Sequence, residues 1–308
     1  MVHIFIINHF AGGKELAKNL RNHLAEKKGL RYFVFNTVRA GFETEIVRKV
    51  RKFFEDEKLR FYCCGGSGTM RNMLNGLENF KRVEFAFYPC GMTNDFLKCF
   101  GDDEAFRDID KLIEGKTIEI DYIKTNYGVA LNTLSVGFDS NVEDAMRNFR
   151  IYNNFGKQTP YILSVLYGIV LAKPKQVELV IDGEIRPNKY SEIVFANGCV
   201  LGGNLYVSAQ TNIMDGMASY FTASDIKGLE AFPLLIKIMQ KKLTKLNHKV
   251  KYGECKSIEI RSLDGKPLLL NYDGELVECG TKCKAEIVYK GLHFVIPQTV
   301  NIKKLTLY

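Results

Sequence analysis

Short runs of consecutive apolar residues alternate with stretches whose apolar positions recur every three or four residues. His3 to Asn8, Leu30 to Asn36, Leu59 to Cys64 and Val83 to Tyr88 are β-branched and aromatic runs of strand length. Between them, Lys14 to Lys28 places Leu16, Leu20 and Leu24 on one helix face, and Glu43 to Phe54 aligns Ile46, Val47, Val50 and Phe54. Thr69 to Phe80 reads as a third helix. This alternation predicts crossover connections and a parallel sheet.

After about Lys116 the pattern changes. Ile118 to Lys124, Tyr127 to Val136, Val177 to Asp182, Glu192 to Asn197, Ala218 to Thr222, Ser257 to Arg261 and Pro267 to Tyr272 read as strands. Helical periodicity is confined to Asn141 to Arg150, Thr159 to Ala172 and Gly228 to Lys242. Strands in sequence with few helices predict an antiparallel sandwich or barrel. The chain therefore reads as α/β followed by all-β, with a boundary near Asp121.

Composition changes this picture little: 308 residues, 46% hydrophobic and 25% charged, suit a folded chain of about two domains. The net charge of +8 favours an anionic partner without choosing one. The eight cysteines are dispersed, and Cys279 and Cys283 have no second Cys/His pair nearby. Reduced thiols in a cytoplasmic protein are the expectation, rather than a zinc site or disulfides. No basic segment precedes the apolar start, and the longest apolar run, Tyr161 to Ala172, is too short to span a bilayer.

Three strand-to-helix junctions carry candidate chemistry. Gly65-Gly66-Ser67-Gly68-Thr69 follows a strand and opens a helix, where free N–H groups and the helix dipole favour phosphate. Asn8 to Lys14 contains two glycines and a lysine that reaches toward phosphate oxygens, without the spacing of a Walker loop. Gly91, Thr93, Asn94 and Asp95 end the fourth strand. In a parallel sheet these loops share the carboxyl edge, where ligands bind. Asp273-Gly274 reads by itself as a plain hairpin turn.

These motifs resemble, in order, those of the diacylglycerol-kinase-type lipid kinases, which include sphingosine kinases and bacterial lipid kinases. Asn8 to Lys14 is similar to Asn-Pro-x-x-Gly, Gly65 to Thr69 to Gly-Gly-Asp-Gly-Thr, and Pro89 to Phe96 to Pro-x-Gly-Thr-x-Asn-Asp-Phe. Gly137-Phe138-Asp139, Asn197-Gly198, Gly202-Gly203, Asp215-Gly216 and Asp273-Gly274-Glu275 match later signatures. The resemblance implies a phosphofructokinase-like nucleotide domain over 1–121, with about 292–308 returning to it. A β-sandwich lipid domain would occupy 122–291. It implies ATP bound by Asn8, Lys14, Gly65, Gly66, Ser67, Gly68, Thr69, Gly91, Thr93 and Asn94. It further implies magnesium held through water by Asp95 and Asp121 near the phosphates, Asp273 as general base, and Glu275 supporting it or sharing the metal.

The chain departs from the family beside the glycine loop. Ser67 stands for an aspartate, and Arg71-Asn72 stands where the family often has Asn-Glu. Serine is a poor magnesium ligand. The alternative function is therefore a degenerate kinase fold that binds nucleotide or lipid as a regulator. NAD kinase, which shares the glycine loop, is disfavoured because Ser67 removes its implied base. A lipid substrate implies work at a membrane surface. The basic segment Lys237 to Lys256 is a candidate for peripheral contact with the inner face of the membrane. No nucleic-acid module is recognisable, and the oligomeric state is open, a homodimer included.

Overall fold

The computed structural model describes residues 1–8, 18–91, 94–101, 103–138, 173–202, 205–208, 212–240 and 248–300. Lys14, Thr93, Asp139, Gly203 and the helices expected at 141–150 and 159–172 lie outside them.

Strands β1 (Val2–Ile7), β2 (Tyr32–Asn36), β3 (Leu59–Gly65) and β4 (Val83–Pro89) form a parallel sheet in the order β4-β3-β1-β2. β1 and β3 are buried along their whole length, which is why they read as unbroken apolar runs. Helix α1 covers residues 18–25, α2 spans Phe42–Phe53 and α3 spans Ser67–Leu74. The third helix is shorter than the Thr69 to Phe80 expected, and Asn75 and Gly76 close it through backbone bonds to Arg71 and Met73.

The exceptions to the apolar rule lie in one row across the strand starts. His3 is level with Arg60, Arg60 with Glu84, and all three are buried. Arg60 Nε donates to Glu84 Oε2 at 2.7 Å. Its Nη1 donates to the carbonyls of Leu112 and Ile113 at the end of the short helix α4 (Ile109–Ile113), where a cation complements the helix dipole.

β5 (Lys116–Thr125) leads into the second half. The expected single strand from Tyr127 to Val136 is two strands, β6 (Gly128–Ala130) and β7 (Thr133–Gly137), broken at Leu131 and Asn132. β8 (Lys175–Ile181) and β9 (Glu184–Ala196) form a hairpin, and β10 (Val200–Leu201) pairs with β11 (Leu205–Tyr206). Beyond them lie β12 (Ala218–Ser224), helix α5 (Ala231–Met239), β13 (Val250–Cys255), β14 (Ser257–Ser262), β15 (Leu268–Tyr272), β16 (Glu275–Cys279) and β17 (Lys282–Ile296). Pairing within this half is antiparallel. Ile123, Leu134, Leu179, Phe195, Ile260 and Leu270 belong to its core.

β17 joins the two halves. Its first part pairs antiparallel with β14, and its last part, at His293 to Val295, runs parallel to β4. β5 follows it through both parts, with a register break between Val288 and Leu292. Phe294 in the last part receives Phe96 and Phe100 of a 3₁₀ helix, Asp95–Phe100, so the segment after β4 is anchored on β17.

Candidate functional site

The described residues of the three junctions expected at the carboxyl edge meet there. Cys90 and Gly91 N–H both donate to the Gly65 carbonyl, at 2.8 and 3.1 Å. A Cβ on Gly91 would lie 2.5 Å from Gly66 Cα, so only glycine allows this approach. Asn8 N–H donates to the Cys64 carbonyl, and Asn8 Nδ2 donates to Thr69 Oγ1 at 2.8 Å. Gly66, without a side chain of its own, stands at the N-cap of α3, so the N-terminus of the helix opens at the glycine loop. Asn94 donates to Asp103 Oδ2 at 3.1 Å, and its own Oδ1 is buried without a partner.

The second half presents the Asp273-Gly274 turn to this loop. Both residues have positive φ, 51° and 82°, and Tyr272 pairs with Glu275 across them. This is the two-residue Asp-Gly hairpin that the sequence suggests, and it also lies at the site. A Cβ on Gly68 would come within 3.2 Å of Glu275 Oε1, so Glu275 covers the first turn of α3.

Asp273 is 4% exposed. Its Oδ2 accepts the Leu131 N–H at 2.6 Å, and its Oδ1 accepts those of Asn132 and Thr133 at 2.9 and 2.8 Å. These bonds explain the break between β6 and β7: the carboxylate takes the N–H groups that a continuous strand would offer a neighbour. Burial pushes its pKa up, although the three N–H bonds and the charge of Arg71 oppose the shift.

Asp121 has a comparable role elsewhere. It is fully buried; Oδ1 accepts the Lys290 N–H and Oδ2 that of Gly216, both at 2.7 Å. Its pKa is likewise raised by burial. Asp95 lies 3.5 Å from Lys98 Nζ. Ser67 and Asn72 are neutral, and among the described residues no three His, Cys, Asp or Glu side chains converge as a metal site. The glycine loop and the start of α3 therefore offer no carboxylate of their own to a magnesium ion. Asp121 is occupied by backbone and belongs to the joint between the halves.

Two residues that the sequence did not single out as site members stand here. Glu43, 2% exposed in the first turn of α2, approaches Asn8 Nδ2 at 3.5 Å and Asn72 Nδ2 at 3.4 Å. Burial raises its pKa. Its signal was positional, because Glu43 is three residues before Ile46 on the buried stripe of α2. Arg71 donates from Nη2 to Asn72 Oδ1 at 2.9 Å, and its guanidinium lies 5.6 Å from the Tyr272 ring centroid.

Residues 3–125 match the diacylglycerol kinase catalytic domain. Residues 132–302 match the YegS C-terminal NAD kinase beta sandwich-like domain. The chain belongs to the diacylglycerol kinase-like family. YtlR of Bacillus subtilis, named as a candidate lipid kinase, is 24% identical over 296 residues, covering 89% of this chain and 93% of that one. A candidate lipid kinase of Staphylococcus epidermidis is 26% identical over 170 residues, 53% of each chain. A diacylglycerol kinase-like crystal structure from Bacillus anthracis superposes with a TM-score of 0.73 at 21% identity, covering 97% of this chain and 96% of that one.

Membership of this lipid kinase family implies ATP with a divalent metal. Several residues of the family resemblance serve the joint between the halves. Asn197 Nδ2 donates to the carbonyls of Asp121 and Leu131, and the N–H groups of Asn197 and Gly198 both reach the Asn132 carbonyl. The diacylglycerol kinase-like chain also holds an apolar cavity of about 60 Å³, lined by Val194, Leu201, Val207 and Phe221 with Leu234 and Ile238 of α5. Of the basic segment, Lys237 is on α5 and Lys249 pairs with Glu230 at 2.9 Å. Lys241, Lys242 and Lys245 lie outside the described residues. No described helix is long and apolar enough to cross a membrane. All eight cysteines are free thiols.

Proposed function

We propose that this protein transfers the γ-phosphate of ATP to the hydroxyl of a lipid, with residues 1–121 and 292–308 serving the nucleotide and 122–291 the lipid. The observation that carries the reading is the approach of the Asp273-Gly274-Glu275 turn to the first turn of α3, through Glu275 over Gly68. That approach brings the Glu275 carboxylate against a glycine loop suited to phosphate, with Asp273 two residues before it. Phosphoryl transfer asks mainly for positioning and charge stabilisation, which such a juxtaposition supplies.

In this reading Asp273 takes the proton from the lipid hydroxyl. Its Oδ2 accepts a single N–H and keeps a lone pair, and burial raises its basicity. Glu275 supports it. The apolar cavity beside α5 is suited to a hydrocarbon end, and exposed Tyr252 with Lys251 offers a contact for an anionic bilayer. The three N–H bonds on Asp273 favour a second reading, in which the turn is purely structural and the chain binds nucleotide as a regulator.

Radiolabelled ATP tested against vesicles containing diacylglycerol, a sphingoid base, phosphatidylglycerol or a polyprenol separates the two. Label in an extracted lipid supports the kinase. ATP binding with no lipid labelled, with or without added divalent metal, supports the regulator.

A further inference from the structure

The three departures beside the glycine loop share a direction. Against the family resemblance, Ser67 and Asn72 stand where carboxylates are expected, and Arg71 where an amide is. Each makes the start of α3 more positive than the family pattern. A loop built to hold a cation through carboxylates would not move this way. A loop that binds phosphate directly would.

The geometry of Arg71 agrees. It sits on the face of α3 turned toward the second half, one helical turn beyond Gly68, which faces Glu275; Asn75, one turn further, bonds Val129. The guanidinium stacks on Tyr272, next to Asp273. Of its N–H donors, Nη2 meets Asn72 Oδ1, whereas Nε is buried without a partner. Asp273, the adjacent carboxylate, already accepts three backbone N–H groups. Among the described residues Arg71 forms no ion pair. A cation beside the glycine loop, held by an aromatic face and a neutral amide and by no carboxylate among the described residues, keeps its charge for an anion.

We propose that Arg71 binds the phosphate chain of the nucleotide directly and does the charge-neutralising work for which this loop lacks metal-holding carboxylates. The assignment rests on the nucleotide site of the proposed function. Asn72 aims the guanidinium, and Tyr272 fixes its plane. The planar fork suits two phosphate oxygens, which a lysine ammonium would meet only as a point charge. Phosphate affinity at this loop therefore depends on Arg71 and only weakly on divalent metal.

The test measures binding in excess EDTA, by calorimetry on the full chain, with ATP and with inorganic tripolyphosphate as a probe lacking the nucleoside. The parent should bind both. Arg71→Gln should weaken both by about tenfold or more, the scale of a charge-assisted hydrogen-bonded pair. Arg71→Lys should fall between, and its retained charge guards against misreading a folding defect, which thermal melting checks for both variants. A parent that binds neither ligand in EDTA, or an Arg71→Gln chain that binds tripolyphosphate as tightly as the parent, overturns the assignment. Lipid labelling is scored separately. Metal-free binding lost in Arg71→Gln, with no lipid labelled by the parent, keeps Arg71 and rejects the kinase. Lipid labelling with unchanged binding in Arg71→Gln does the reverse.

Discussion

The Asp121 carboxylate accepts the backbone N–H of Lys290 at 2.7 Å, opposite the register break where β17 passes from one half of the protein to the other. Tyr289 to Gly291 bulge out of the ladder there, and Lys290 takes positive φ. The bulge leaves an N–H without a strand partner, and Asp121 supplies the acceptor. The same side chain fixes Gly216, so one carboxylate holds three separate segments together.

Asp121→Asn keeps the shape but turns one acceptor into a donor facing an N–H. It should lower unfolding stability by about 1–3 kcal/mol, the usual cost of an unsatisfied buried group, in urea denaturation. If Asp121 instead holds a metal, stability would stay at the parent value and the metal requirement of activity would rise.

Asp273→Asn tests the proton acceptor and the strand break together. As base loss it should reduce lipid phosphorylation by about 10²-fold or more, with ATP affinity little changed. The amide cannot accept from Leu131, Asn132 and Thr133 at once, so a loss of about 1–3 kcal/mol in stability should accompany it. Lost stability with full turnover at a temperature where the variant is folded would make Asp273 structural only.

Gly91→Ala should weaken ATP binding. The added Cβ would meet Gly66 Cα at 2.5 Å, and backbone cannot yield as a flexible side chain would, so the two phosphate-facing loops must separate. A fall of about tenfold or more in affinity is expected from misplaced donors. Unchanged affinity by calorimetry would place the nucleotide away from this junction.

Acid should destabilise the parallel sheet through His3. Burial, aided by Arg60, lowers its pKa from 6.5 to about 4, and the ring bonds the Tyr62 hydroxyl at 2.7 Å. The unfolded chain then binds the proton more readily, so this stability is complete above pH 6.5 and is lost as pH falls toward 4. His3→Gln should flatten the stability profile across that window, measured as urea midpoints. Glu84 contributes a more acidic limb: burial raises its pKa, but Lys58 and Arg60 outweigh burial and leave it lowered.

Some of this was written in the chain. The buried strands of the first half are continuous apolar runs because both faces are covered, and such runs are legible without tertiary information. The glycines at 65, 66, 68 and 91 announced close backbone approach, and Asp273-Gly274 announced a hairpin. The family motifs gave the order of the halves.

What the tertiary structure alone decided is where long-range hydrogen bonds go. Tyr127 to Val136 has the composition of one strand, and it breaks because a carboxylate 140 residues away, Asp273, takes the N–H of Thr133 and of the two residues before it. Nothing in the sequence around Asp121 tells that its oxygens accept the backbone N–H groups of Lys290 and Gly216. Glu43 lay on an apolar stripe, and only folding showed that the stripe ends against Asn8 and Asn72. Local sequence fixes periodicity and turn chemistry, whereas the partner of a buried polar group depends on which distant segments the topology brings within bonding distance.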